Sequence, residues 1–265
     1  MTDKAVEGLS SVCNAARLLK LFLSREPALG VSAIARRMGL AKSTVHRLLT
    51  TLSSEGLIEQ DPVTGGYRLG IVMFELGEAV RVHLDLHTAC APVMASLREQ
   101  TRESSQVGVL SGHEVVYVDR LESAHSLRLF TETGRRVPVH CTSSGKVLLA
   151  HLAPPDLERM LTRAPLTRLT PHTITDRGAL VAELDRVRRR GWSEAVQERE
   201  IGVASVAAPI RDANGQVVAA ISIGAPIARL AAVQRRRLGP VIVDAGEAAS
   251  RRLGWSPELL LRKEG

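Results

Sequence analysis

Aromatic residues are scarce, at 3% of 265 positions. Two Trp, two Tyr and three Phe argue against a surface that stacks single-stranded bases and leave the core to Leu, Val, Ile and Ala. Cysteine is nearly as rare. Cys13, Cys90 and Cys141 lie far apart with no C-x-x-C pair, which disfavours a disulfide scaffold and fits a reducing, cytoplasmic setting. No run approaches 18 apolar residues, so no membrane-spanning helix is expected. The N-terminus reads as no signal peptide, because no apolar core follows Met1. There is no internal repeat and no low-complexity segment.

What is present is an ordinary globular composition with a formal net charge of +7, enough length for one small and one medium domain, and a basic excess that favours a polyanionic partner. Residues 1–70 carry nine Lys and Arg against six Asp and Glu, so the placement of charge matters more than its total.

The first seventy residues repeat a helical period. Residues 10–24 place Val12, Ala15, Ala16, Leu19 and Leu23 on one stripe. Ser32 suits the N-cap of a short helix ending at Gly39. A second helix from Lys42 to Glu55 buries Val45, Leu48, Leu49 and Leu52, and turns Ser43, His46, Arg47, Thr50 and Ser54 outward. Two short strands, 57–60 and 67–69, flank a Gly-rich tip. Helix pairs of this kind either simply pack or read a DNA major groove. For a groove reader, Ser43 and Thr44 suit phosphate oxygens, Arg47 suits a guanine edge with His46 and Thr50 beside it, and Thr64, Gly65 and Arg68 form a wing.

Residues 71–86 read as a linker helix with Val72, Leu76, Ala79 and Val80 on one side, and 88–101 as another helix. Strands are expected at 105–110, 114–121 and 127–131, helices at 145–152, 155–161 and 177–190, and buried strands at 203–210 and 217–223 joined by the Asp212-Ala213-Asn214-Gly215 hairpin. A closing helix spans 228–252. This order predicts an α+β domain with an antiparallel sheet.

Two blocks carry a specific likeness. VSAIARRMGLAKSTVHRLLTTLSSEGLIEQD with GGYRLG resembles the winged helix-turn-helix of the IclR family of bacterial regulators. GRRVPVHCTSSGKVLLAHL and RRRGWSEAVQEREIGVASVAAPIRDANGQVVAAISIGAP resemble its effector domain. The resemblance implies a winged helix-turn-helix DNA-binding domain (1–70), a linker helix (71–86) and a GAF-like effector-binding domain (87–265). It further implies a homodimer or dimer of dimers on a palindromic operator in double-stranded DNA, repressing or activating in response to a small organic or aromatic acid. No cofactor, membrane contact or enzymatic activity is implied. Lys42, Ser43, Thr44, His46, Arg47, Thr50, Thr64, Gly65 and Arg68 would then meet DNA. Leu129, Val137, Ser143, Ser144, Ala195, Ser205, Ser222 and Gly224 would line the effector pocket, with Ser143 and Ser144 just ahead of a helix opening at Gly145. Relatives commonly have an acid where Ala195 stands and Cys where Ser205 stands; the missing acid suggests a less polar or bulkier ligand.

Other patterns are weaker. Ser143-Ser144-Gly145-Lys146 matches S-x-x-K without its companion motifs, and as a P-loop end it lacks the first Gly (His140) and the Ser/Thr (Val147). An enzyme using Ser143 with Lys146, or His140 with Cys141, is the rival class; a DNA-binding architectural protein is the third. His83, His87 and Cys90 have metal-ligand spacing, though a solvated helix face is the ordinary reading and no metal site is expected. Arg186 and Arg188 to Arg190 complement a helix C-terminus, and Arg235 to Arg237 read as a solvated face.

Overall fold

The computed structural model describes residues 9–256 apart from 25, 27, 85, 127–132 and 164, and apart from the side chains of 24 and 78–84. The expected strand at 127–131 and Leu129 lie outside the described residues. The chain divides into two compact units, Met1–Leu84 and Asp85–Gly265.

In the first unit, α1 (Ser10–Leu21) and a single 3-10 turn are followed by α2 (Val31–Met38), α3 (Lys42–Ser54), β1 (Ile58–Gln60), β2 (Tyr67–Leu69) and α4 (Ile71–Leu84). Gly39, at φ +67°, ends α2 in the left-handed conformation that only glycine adopts without strain. Gly30, not Ser32, is the N-cap, which puts Ser32 inside the first turn. The antiparallel β1–β2 pair is widened by Leu29, which exchanges two 2.9 Å backbone bonds with Tyr67. Leu18, Ile34, Val45, Leu49, Ile58 and Tyr67 close one core. The stripe expected on α1 is rotated: Leu18 is buried, while Val12 and Leu23 are exposed. On α4, Leu76 is likewise exposed, together with Ile71 and Phe74.

The second unit runs α5 (Leu86–Thr101), β3 (Ser104–Ser111), β4 (Glu114–Leu121), β5 (Arg136–Pro138), α6 (Ser143–Ala150), α7 (Pro154–Arg163), α8 (Arg177–Arg190), β6 (Ser193–Val196), β7 (Val203–Arg211), β8 (Val217–Pro226) and α9 (Ala232–Arg252). Two hairpins, β3–β4 and β7–β8, join edge to edge into a six-stranded antiparallel sheet of order β5-β4-β3-β8-β7-β6. The β7–β8 turn forms as its sequence predicts: Asp212 Oδ1 accepts from Asn214 N and Gln216 N, and Gly215 takes φ +80°.

Strand alternation sends neighbouring residues to opposite faces, so the sheet has two cores. Val206, Ala208, Ile210, Ile221 and Ile223 pack with residues of α5 and α9. Val115, Tyr117, Ala207 and Ala220 pack with residues of α6 and α8. The second face carries the polar site.

Candidate DNA-reading helix and polar cavity

Helix α3 separates its faces sharply. Val45 and Leu49 are fully buried and Leu52 nearly so. Lys42, Ser43, Thr44, His46, Arg47 and Thr50 are all exposed. The Thr50 hydroxyl donates back to the His46 carbonyl at 2.9 Å, so its oxygen is partly occupied. No acidic residue stands in the first turn, which leaves the positive end of the helix dipole open to an anion.

The tip between β1 and β2 is shaped by Asp61. Its Oδ1 accepts from Val63 N at 3.0 Å, Thr64 N at 2.7 Å and Thr64 Oγ1 at 3.0 Å. Those bonds hold its carboxyl below the usual range. Gly65 sits at φ +68°. Arg68 is paired with Glu59 at 2.7 Å and faces Asp61 at 3.9 Å, so its charge is less available than its place in the sequence suggests.

In the second unit a small cavity of about 50 Å³ lies between the sheet and the segment 198–200. Pairing in register lines up its floor: Ala195 opposite Ser205, Ser205 opposite Gly224, and Ser222 opposite Gln106. Tyr117, Cys141, Thr142, Glu198, Arg199, Glu200 and Val203 complete the lining. The structure therefore brings together Ala195, Ser205, Ser222 and Gly224. Ser143 reaches them indirectly, by donating to Ser205 Oγ at 2.8 Å. Ser144 lies against the Tyr117 phenol, which burial pushes up. Val137 is absent from the lining and is buried among Val115, Val139 and the α6 residues.

Two expectations need correction. Ser143 and Ser144 do not precede the helix but form its first turn. Thr142 is the N-cap and accepts from Gly145 N at 3.0 Å. The helix can start this early because Gly145 lacks a Cβ, which would fall 2.0 Å from the Val139 carbonyl oxygen. Second, the alanine at 195 does not leave the site without an acid. Glu198, 7% exposed, supplies one from the neighbouring segment, and the small volume disfavours a bulky ligand.

Glu198 accepts from Lys146 Nζ at 2.5 Å through Oε1. Lys146, 2% exposed, also donates to the Glu194 carbonyl at 3.1 Å. Glu198 Oε2 and Gln106 Oε1 are buried with no hydrogen-bond partner. Burial raises the Glu198 pKa against the lowering effect of Lys146. The segment is staked from behind: Thr170 Oγ1 donates to Gln197 O and Thr173 Oγ1 to Glu198 O, each at 2.6 Å. These bonds hold Gln197 at φ +56°, an uncommon backbone region for a non-glycine residue. Burial, and then the charge of Arg135, lower the Arg199 pKa.

The nucleophile spacings form no reactive pair. Ser143 bonds Ser205 and Lys146 bonds Glu198. His140 Nε2 lies 3.0 Å from the Thr167 carbonyl, and burial pushes the Cys141 thiol up to about 11, away from thiolate chemistry. Cys90 is fully buried, with its thiol pushed up to about 12, mainly by burial. His87 pairs with Asp119 at 2.7 Å; the His83 side chain lies outside the described residues. Among the described residues no three His, Cys, Asp or Glu side chains gather around a common point. The run at the end of α8 is engaged, Arg186 and Arg190 with Glu183 and Arg188 with Asp185. Arg235 is no solvated residue: it is 9% exposed and bonds Glu194 at 2.6 Å.

A winged helix-turn-helix unit and an α+β unit with a small polar cavity define a DNA-binding transcription regulator with an effector-binding domain. Residues 11–62 match the IclR helix-turn-helix domain and residues 78–251 match the C-terminal domain of the bacterial transcriptional regulator IclR. The chain belongs to the IclR family. It is 34% identical over 247 residues to the HTH-type transcriptional regulator XynR of Escherichia coli, covering 93% of this chain and 98% of that protein. It is 35% identical over 229 residues to BhcR of Paracoccus denitrificans, covering 86% and 81%. An IclR homologue from Microbacterium hydrocarbonoxydans, solved in complex with 4-hydroxybenzoate, superposes with a TM-score of 0.81 at 31% identity, covering 92% of this chain and 99% of that one.

Proposed function

We propose that this chain binds a palindromic operator as a homodimer or dimer of dimers, and that a small organic acid, aromatic acids included, occupying the cavity controls that binding. The DNA-binding module is 1–70, the linker helix 71–86 and the effector domain 87–265. The observation that carries the reading is α3: Val45 and Leu49 anchor it from below while Lys42, Ser43, Thr44, His46, Arg47 and Thr50 stand exposed together. Thr64, Gly65 and Arg68 form the wing beside it. The exposed Ile71, Phe74 and Leu76 on α4 give a second copy an apolar surface to cover.

Ligand control requires only that the acid bind more tightly in one spacing of the two recognition helices than in the other. Repression or activation follows from where the operator lies. The pocket reading rests on Ser143, Ser144, Ala195, Ser205, Ser222 and Gly224, joined by Glu198, Arg199, Gln106 and Tyr117. The test is fluorescence anisotropy on duplexes from the promoter beside the chain's own gene. Arg47→Ala is expected to weaken binding by roughly 1–3 kcal/mol. Affinity equal to the native chain's would remove Arg47 from the interface.

A further inference from the structure

We infer that the effector is a short 2-hydroxy carboxylic acid, whose hydroxyl donates to Glu198 and whose carboxylate meets Arg199; this rests on the cavity being the effector site. Size comes first. A cavity of about 50 Å³ favours a ligand of few heavy atoms over a larger one.

Polarity comes second. The lining contains a buried carboxylate oxygen, Glu198 Oε2, and a buried amide oxygen, Gln106 Oε1, both without a partner. A buried acceptor left unsatisfied is costly, so the complement must bring a donor. Lys146 fixes the other Glu198 oxygen at 2.5 Å, and Thr173 fixes its backbone, so the carboxylate cannot turn away to solvent. A carboxylate alone would meet Oε2 as a like charge. A keto oxygen would meet it as a second acceptor. A hydroxyl donates to it directly.

Charge comes third. Arg199 is half-buried in the same lining. It has no hydrogen bond or ion pair among the described residues, and it can hold a carboxylate in the two-point geometry that guanidinium favours. The Ser205 and Ser222 hydroxyls on the floor supply the remaining donors. The likeness of these two serines to a generic polar wall is broken by Glu198, which makes the site discriminate between donors and acceptors on the ligand's second carbon.

The experiment is calorimetric titration of the full chain with glycolate, acetate, lactate, propionate, pyruvate and 4-hydroxybenzoate. The hydroxy acids are expected to bind about tenfold or more tightly than acetate and propionate, the difference made by one charge-assisted hydrogen bond, and lactate more tightly than pyruvate. Glu198→Gln should reverse the lactate preference, because its amide N–H donates to the keto oxygen. Arg199→Gln should weaken every acid while keeping the lactate-to-propionate ratio. If Glu198→Gln does not fold, the native ratios and Arg199→Gln decide alone. Propionate or pyruvate binding as tightly as lactate overturns the inference. Binding of 4-hydroxybenzoate without the hydroxy acids overturns it and leaves the effector reading standing. No binding by any acid overturns both.

Discussion

Removing Lys146 tests how the site is held. Lys146 and its partner Glu198 are both buried, with 2.5 Å between Nζ and Oε1. Lys146→Met keeps the stem and deletes the charge. It leaves the Glu198 carboxylate buried, with Oε2 already unpartnered, and frees the Glu194 carbonyl. Stranding one member of a buried pair costs about 3–5 kcal/mol. Lys146→Met with Glu198→Leu removes the stranded charge as well, and should recover most of that, short of about 1 kcal/mol for the lost bond to Glu194. Both tryptophans, Trp192 and Trp255, lie in the second unit, so tryptophan fluorescence during urea unfolding reports on that unit within the full chain. A single variant that loses under about 1 kcal/mol, or a double variant less stable than the single, would refute the reasoning.

Gly145→Ala should destabilise the same unit by about 1–3 kcal/mol through overpacking, since its methyl meets the Val139 carbonyl at 2.0 Å; urea unfolding checks it, and native stability would show that the turn before α6 can shift. His151 has a pKa lowered chiefly by burial. Its folded value lies below the unfolded 6.5, so the stability it confers is present above that pH and lost as pH falls through the folded value. His151→Gln should flatten the decline in melting temperature on acidification below pH 6.5, and an unchanged decline would point to another group. Asp61→Ala should loosen the wing and weaken DNA binding while the melting temperature stays put, because its three bonds are local and exposed. Unchanged affinity would take the wing out of the interface.

The elements that sequence resolved best are those with an explicit stop or turn. Gly39 and Gly56 bracket the recognition helix, and Asp212 with Gly215 marks the β7–β8 hairpin. What escaped is set by tertiary contacts. β5 and β6 are three and four residues long, too short to show a period, and exist because β4 and β7 offer open edges to pair with. In the sequence Gly145 looks like the opening of α6, which starts two residues earlier at Ser143. Its role is close approach to the Val139 backbone. Four cavity residues were legible from the family likeness: Ala195, Ser205, Ser222 and Gly224. Glu198 and Arg199 were not, since two charged residues in an Arg- and Glu-rich segment read as solvated surface. The Thr170 and Thr173 bonds to the 197–198 backbone, with the Lys146 pair, turn that segment inward. Polar Gln106 on a buried strand was the available signal, because an inward polar residue within a sheet core marks a site or a partner.

The central claim is that α3 reads duplex DNA under control of the cavity. Footprinting of the promoter beside the chain's own gene, with and without lactate or glycolate, tests it most directly. Two protected half-sites are expected about one helical turn apart, or a multiple of that, whose protection changes with the acid and, in Arg199→Gln, changes only at higher acid concentration. No protected duplex under either condition would contradict it.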